Sequence, residues 1–526
     1  MPKADQEAHM KSIVLVLCCI MVTIQLLADD ASQKKSYYEI SEDGKYEYRY
    51  ATKDGNKPSG YSIRDIPYLN SPDWQNSDRV QVGALQVYDV DYDGDNDVVV
   101  GCYHSNSYPP YDDWHNFIYL NTGAELEAIP SWISDDEVST GDIQLADING
   151  DGFIDIFAAN GGYSMDPSVI YYGSATGPST APGWYSNDNC WNNYAMPFDF
   201  DHDGDIDVLT ANQGNSQYDP YRPMNLFINN NVTLASTPGW QSAEISIQNF
   251  LAIADVDGDG WEDVAVSKWS DFESGIYKNN AGTLNTTPWW TTGDTDSDKG
   301  VGFADVDDNG WPDLALGHDP TQLFTNSSGS LSLSWISTYT YFGQQDLRFC
   351  DVDMDGDQDL AEIHFSNGVV NIYMNDGGVL QDVPSWSYDC SSVGTAIAFG
   401  DINGNGSPDL VVGNSGDPSI MVFYNQNSFS IDDESTETMS VKSHPNPFSH
   451  STTISFSNPS NTIANMKVYN LKGEIVSHMP VNAGQKFITW NGNDSNGKKV
   501  TTGIYFIQIL DKNNNIAGMN KCVLFK

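Results

Sequence analysis

Asp89-Val90-Asp91-Tyr92-Asp93-Gly94-Asp95-Asn96-Asp97 fits the pattern D-x-[DN]-x-[DN]-G-x-x-D, and the same nine-residue pattern begins again at Asp147, Asp199, Asp255, Asp305, Asp351 and Asp401. The seven starts are 58, 52, 56, 50, 46 and 50 residues apart, the length of one small four-stranded sheet with its loops. Trp74, Trp132, Trp184, Trp240, Trp290 and Trp386 each stand 15 residues before the first Asp of a copy, and Trp335 stands 16 before. Chance acidity does not hold a Trp in phase with seven Asp clusters. An aliphatic residue follows every ninth position (Val98, Ile156, Val208, Val264, Leu314, Leu360 and Leu410), and runs such as Asp97-Val-Val-Val100 read as strands buried on both faces. One such sheet has no partner of its own for either face. Stacking the sheets radially supplies one and leaves only short edges, so the pattern predicts an all-β fold, a seven-bladed β-propeller over 61–430. The first Trp precedes the first loop and the last unit ends near Phe429, so the N-terminal segment is expected to lend a strand to the final blade.

Positions 1, 3, 5 and 9 of the copies carry only short oxygen donors. They are Asp89, Asp91, Asp93 and Asp97; Asp147, Asn149, Asp151 and Asp155; Asp199, Asp201, Asp203 and Asp207; Asp255, Asp257, Asp259 and Asp263; Asp305, Asp307, Asn309 and Asp313; Asp351, Asp353, Asp355 and Asp359; and Asp401, Asn403, Asn405 and Asp409. Gathering carboxylates in nine residues is repulsive unless a hard cation neutralises them, and Ca²⁺ takes six to eight oxygens with tolerant geometry, whereas Mg²⁺ demands a tighter octahedron. Up to seven Ca²⁺ ions are expected. Position 6 is Gly in every copy, as a sharp turn around an ion requires. Position 12 is Val100, Ala158, Thr210, Val266, Leu316, Glu362 and Val412, so the bidentate Glu of an EF-hand is missing from all but one copy. Polar β-turns without metal are the plainer alternative. The last copy has the lowest ligand charge and is expected to bind most weakly.

These loops and their flanking strands resemble the FG-GAP, or VCBS, repeats of the integrin α-chain propeller. The resemblance implies an ion that links two strands at one rim of each blade in a structural role, and it leaves the ligand open, because such propellers host both adhesion proteins and enzymes.

The net charge of -48 argues against nucleic acid as a partner, since a polyanion is bound by clustered Lys and Arg. The acid is unevenly spread: residues 441–526 hold nine Lys and three acidic residues, against 15 basic and 69 acidic side chains elsewhere. A differently selected domain is implied there, after a linker at 431–440. His444-Pro-Asn-Pro-Phe448, Thr452-Thr-Ile-Ser-Phe456, Lys467-Val-Tyr-Asn-Leu-Lys-Gly473 and Thr502-Gly-Ile-Tyr-Phe-Ile507 suggest a small Ig-like β-sandwich. The stretch 441–526 resembles the type IX secretion C-terminal sorting domain, which implies the outer-membrane translocon as partner. By that resemblance the product is extracellular or displayed on the outer surface of a bacterium.

At the other end, Lys11 followed by the apolar run Ile13 to Leu27 and then Ala28 reads as a signal peptide over 1–28, too short for a transmembrane span of about 20 residues. Residues 29–60 form an N-terminal segment of no assigned fold. Cys102, Cys190, Cys350, Cys390 and Cys522 are too few and too unpatterned for a disulfide scaffold.

The face opposite the acidic loops is the natural ligand surface. Five residues after position 9 it is expected to present Cys102, Asn160, Asn212, Lys268, His318, His364 and Asn414, with Tyr108, Tyr111, Trp114, Tyr163, Tyr218, Tyr221, Arg222 and Trp269 nearby. Aromatic rings beside amides suit glycan or protein ligands, which favours a binding or adhesion module. The rival is a polysaccharide lyase with its base on this face. His104, His318 and His364 are candidate acids or bases, although the chain has no G-x-S-x-G or H-E-x-x-H motif.

Overall fold

The computed structural model describes residues 34–40, 46–52, 67–427 and 441–524, apart from breaks at 78–79, 104–113, 124, 162–165, 189, 214–220, 270, 340–342, 445–447, 449–450, 457–462, 471–474, 483–484, 496, 502 and 513–515. The expected signal peptide, linker and His104, Tyr108, Tyr111, Tyr163 and Tyr218 lie outside the described residues. The chain divides into two compact units, Met1–Phe429 and Ser430–Lys526. In the first, Lys34–Ile40 pairs with Tyr46–Thr52 as an antiparallel ribbon. Seven four-stranded antiparallel sheets follow among the described residues.

The first sheet runs Val82–Tyr88, Asp97–Cys102, Phe117–Tyr119, Trp132–Ile133, and the next five repeat that order. The seventh is built from Gly394–Gly400, Asp409–Asn414, Ile420–Phe423 and, as its outermost strand, Trp74–Gln75. Each sheet packs its first strand against the first strand of the next, and Gly394–Gly400 packs against Val82–Tyr88, so the ring closes. This is the seven-bladed propeller that the repeat predicts, fastened by a strand from the N-terminal side.

Closure gives the Trp marker its place. Each Trp lies on the outermost strand of the blade before the loop it accompanies: Trp132 pairs with Ile118, and Trp184 with Ile170. From there it reaches the following blade. The Trp132 indole N–H donates to Pro178 O at 2.9 Å, Trp184 to Leu234 O at 3.0 Å and Trp240 to Leu284 O at 3.0 Å. The ring also meets an aromatic of the next blade's third strand edge-on, as in Trp132 with Tyr171, centroids 5.4 Å apart. Trp335 and Trp386 keep the edge-on ring contact, with Tyr373 and Phe423, but their indole N–H groups find no acceptor. Replacing Trp132 by Ala removes this packing and is expected to cost about 3–5 kcal/mol, measured by denaturant unfolding.

The second strands, such as Asp97–Cys102 and Asp409–Asn414, are buried along their whole length, as their unbroken aliphatic runs require. In the second unit, strands Val441–His444, Thr452–Phe456 and Phe487–Trp490 form one sheet. Ile475–Pro480, Ile463–Asn470, Gly503–Asp511 and Ile516–Leu524 form the other. Ile454, Phe456 and Trp490 of the first meet Met466, Val468, Ile507 and Cys522 of the second in one core, a β-sandwich. Cys350 and Cys522 serve as buried thiols.

Candidate metal centre

Each acidic pattern forms the turn between the first and second strands of its blade. Position 1 starts the wrap. Asp89 accepts the backbone N–H of Asp93 at 3.1 Å and of Gly94 at 2.9 Å, and the pair recurs at Asp147, Asp255, Asp305, Asp351 and Asp401. Two residues per loop carry positive φ. Position 6 is one, from 86° at Gly406 to 104° at Gly94, and a Cβ at Gly94, Gly204 or Gly356 would meet nothing within 4 Å. Backbone conformation, not crowding, demands glycine there. Position 4 is the other, and in four copies it is not glycine: Tyr92 (64°), His202 (56°), Asp308 (62°) and Met354 (64°). Gly150, Gly258 and Gly404 hold the position in the other three copies, and the repeat pattern hides the requirement because ordinary side chains carry the strain elsewhere.

The turn converges the carboxylates. Asp89, Asp91 and Asp97; Asp199, Asp201 and Asp203; Asp255, Asp257 and Asp259; Asp305, Asp307 and Asp313; and Asp351, Asp353 and Asp355 each bring one oxygen apiece to within 4.8 Å of one another. In the remaining two loops an amide dilutes the charge, Asn149 donating to Asp151 at 3.1 Å and Asn403 to Asp409 at 3.2 Å. Oδ1 of Asp199 and of Asp257 are buried without a hydrogen-bond partner. A hard cation fits these donors, since they are all oxygen and lie in a cradle wide enough for a shared ion. Burial raises the position-9 carboxyls, Asp97, Asp155 and Asp207 to about 7, against the pull of the backbone N–H groups they accept; the neighbouring Asp side chains push them up further. The same causes put Asp263 and Asp313 at about 8 and Asp409 at about 6.

Position 9 also fixes the loop to the sheet. One oxygen of Asp207 accepts Phe200 N–H at 3.1 Å, and the other accepts Asn229 N–H at 2.6 Å. Asn229 then donates from its side chain to Ile148 O, in the loop of the preceding blade, at 2.7 Å. The same staple is made by Asn121 to Ile402 O, Asn279 to Phe200 O, Asn326 to Val256 O, Asn375 to Val306 O and Asn425 to Val352 O. In the second blade the station is Gly173, whose N–H still reaches Asp155 at 2.7 Å. Except where Gly173 interrupts the series, position 9 of one loop is thus joined through one Asn to the loop of the preceding blade.

On the opposite face, the residues five past position 9 do not ring an open mouth. Asn160, Asn212, Lys268, His364 and Asn414 are buried at the ends of second strands. Asn160 donates to Pro167 O at 2.9 Å and Asn414 to Pro418 O at 3.1 Å, capping strand ends. The ionisable members are paired: Lys268 with Glu244 at 2.6 Å, His318 with Asp298 at 2.8 Å and His364 with Glu362 at 3.0 Å. Glu362 is held by Thr321, Asn371 and Tyr373 as well; burial raises its pKa, but His364, with the hydrogen bonds from Thr321 and Asn371, outweighs that and lowers it. Of the aromatics, Trp269 is buried with Lys299 Nζ 5.4 Å from its ring, and Tyr221 packs edge-on against Phe272 of the next blade at 5.4 Å.

Comparison with known protein families finds the FG-GAP-like repeat at residues 89–158, 199–266 and 351–412, each stretch spanning two successive acidic loops. The loop at 305–313 lies between the matched stretches. Residues 442–524 match the secretion system C-terminal sorting domain. No curated protein matches the chain. The sorting domain marks an exported protein, secreted or held at the cell surface, that engages the secretion system. Among the described residues no helix is long and apolar enough to cross a membrane.

Proposed function

We propose, for a chain that joins FG-GAP-like repeats to a secretion system C-terminal sorting domain, that it is an exported binding module in which calcium at one rim rigidifies a propeller whose other face takes a glycan or protein ligand. The observation that carries this reading is the recurrence, in five of the seven loops, of three carboxylates whose oxygens converge to within 4.8 Å of one another. Calcium would be held by positions 1, 3, 5 and 9 of the loops, and it would supply charge neutralisation and stiffness. The staples from Asn229 and its equivalents would pass that stiffness around the ring. Binding is favoured over catalysis because His318 and His364, the candidate acids or bases that lie among the described residues, and Lys268 of the strand-end set are each held in an ion pair within the fold.

A glycan array probed with the calcium-loaded protein, run beside a lyase assay on acidic polysaccharides, tests the reading. Saturable capture of a glycan or protein without turnover is expected. Release of unsaturated sugar products would replace the binding module with an enzyme.

A further inference from the structure

The fourth acidic loop already contains a cation. Lys278 follows the third strand of its blade, Gly275–Tyr277, and its ammonium contacts Asp257 Oδ2 and lies 3.0 Å from Asp259 Oδ2. Those are positions 3 and 5 of the loop, two of the three carboxylates that converge there. The backbone on either side is fixed: Tyr277 donates to Glu244 at 2.9 Å, and Asn279 gives its N–H to Asp263 at 2.9 Å and its amide to Phe200 O at 3.1 Å. Lys278 is itself about four-fifths buried and passes 5.9 Å from the Trp289 ring. The same station in the other blades, the residue before the stapling Asn or Gly, holds Leu120, Tyr172, Ile228, Thr325, Met374 and Tyr424. None of these is charged, so the lysine is particular to one blade.

We propose that Lys278 is the resident cation of the Asp255–Asp263 loop, so that this blade keeps its turn without calcium and takes calcium only at concentrations well above those that fill the other loops. This rests on the calcium reading of the other six. A Ca²⁺ ion bound by Asp257 and Asp259 must displace the ammonium, because two cations a few ångströms apart in a largely buried site repel strongly. Ligand charge alone would rank this loop, with four Asp, among the strongest binders. The lysine reverses that order.

The test is crystallography of the full chain at graded calcium, with anomalous scattering reporting each rim separately, for the native protein and for Lys278→Met. At a concentration that fills the other all-Asp loops, the native fourth loop is expected to show no ion, and Lys278→Met is expected to fill it, an affinity gain of about tenfold or more. Thermal melts give a second readout. Lys278→Met is expected to lower the melting temperature in EGTA, where two carboxylates lose their counterion, and not in saturating calcium, whereas Lys278→Arg keeps the native behaviour in both. Should Lys278→Met fail to fold, the native crystals decide alone. A native fourth loop filled in step with its neighbours overturns the lysine proposal and leaves calcium binding intact. Ions at none of the rims overturns both.

Discussion

Calcium-depleted protein is expected to melt far below the calcium-loaded form. A ligand that binds only the folded state at about 100 times its dissociation constant adds about 2.7 kcal/mol per site, so three filled loops supply about 8 kcal/mol, within the range of a domain's whole net stability. The gap is expected to depend on pH. Without metal, burial and neighbouring Asp raise the position-9 carboxyls to between about 6 and 8. A carboxyl whose folded pKa is raised above its unfolded value contributes stability that is complete below about 4 and is lost as pH climbs through the folded value. The depleted propeller therefore weakens from pH 5 to pH 8. Calcium favours the ionised form and offsets that loss, so loading stabilises more at pH 8 than at pH 5. Differential scanning calorimetry of depleted and reloaded protein at both pH values measures this. Equal melting temperatures with and without calcium at pH 8 would remove the metal from the account.

Deleting residues 441–526 is expected to abolish delivery of the propeller to the outer surface or medium while leaving it folded. The module that matches the sorting domain forms its own two-sheet core around Trp490, Tyr505 and Met466, so its removal takes away a complete unit. Cell fractionation with an antibody against the propeller reads the outcome. Retention inside the cell envelope with undiminished calcium binding is the expected pattern, and normal surface display of the truncation would detach export from this module.

The blade number was legible because its determinants are rigid in spacing. Position 1 must accept the N–H groups of positions 5 and 6, and position 6 must adopt positive φ, so nine residues leave little freedom and the pattern survives in all copies. The Trp phase was legible for a similar reason, but its meaning was not: spacing alone does not say which blade a Trp belongs to, and strand pairing places it on the blade before the loop it accompanies. The stapling Asn escaped notice because it follows position 9 by anything from 13 to 24 residues, as the intervening loop varies. Lys278 escaped with it. The strand-end set from Cys102 to Asn414 was located correctly along the chain and misjudged in exposure, since strand periodicity says nothing about what covers a strand's end.

The account turns on whether divalent ions sit at the acidic turns that hold no lysine, and a crystal grown in millimolar calcium, with anomalous data, tests that most directly. It predicts peaks at the rims, each surrounded by six to eight oxygens at about 2.3–2.6 Å and including positions 1, 3 and 5 of its loop. Turns that keep their shape around water alone, with no peak at any rim, would contradict it.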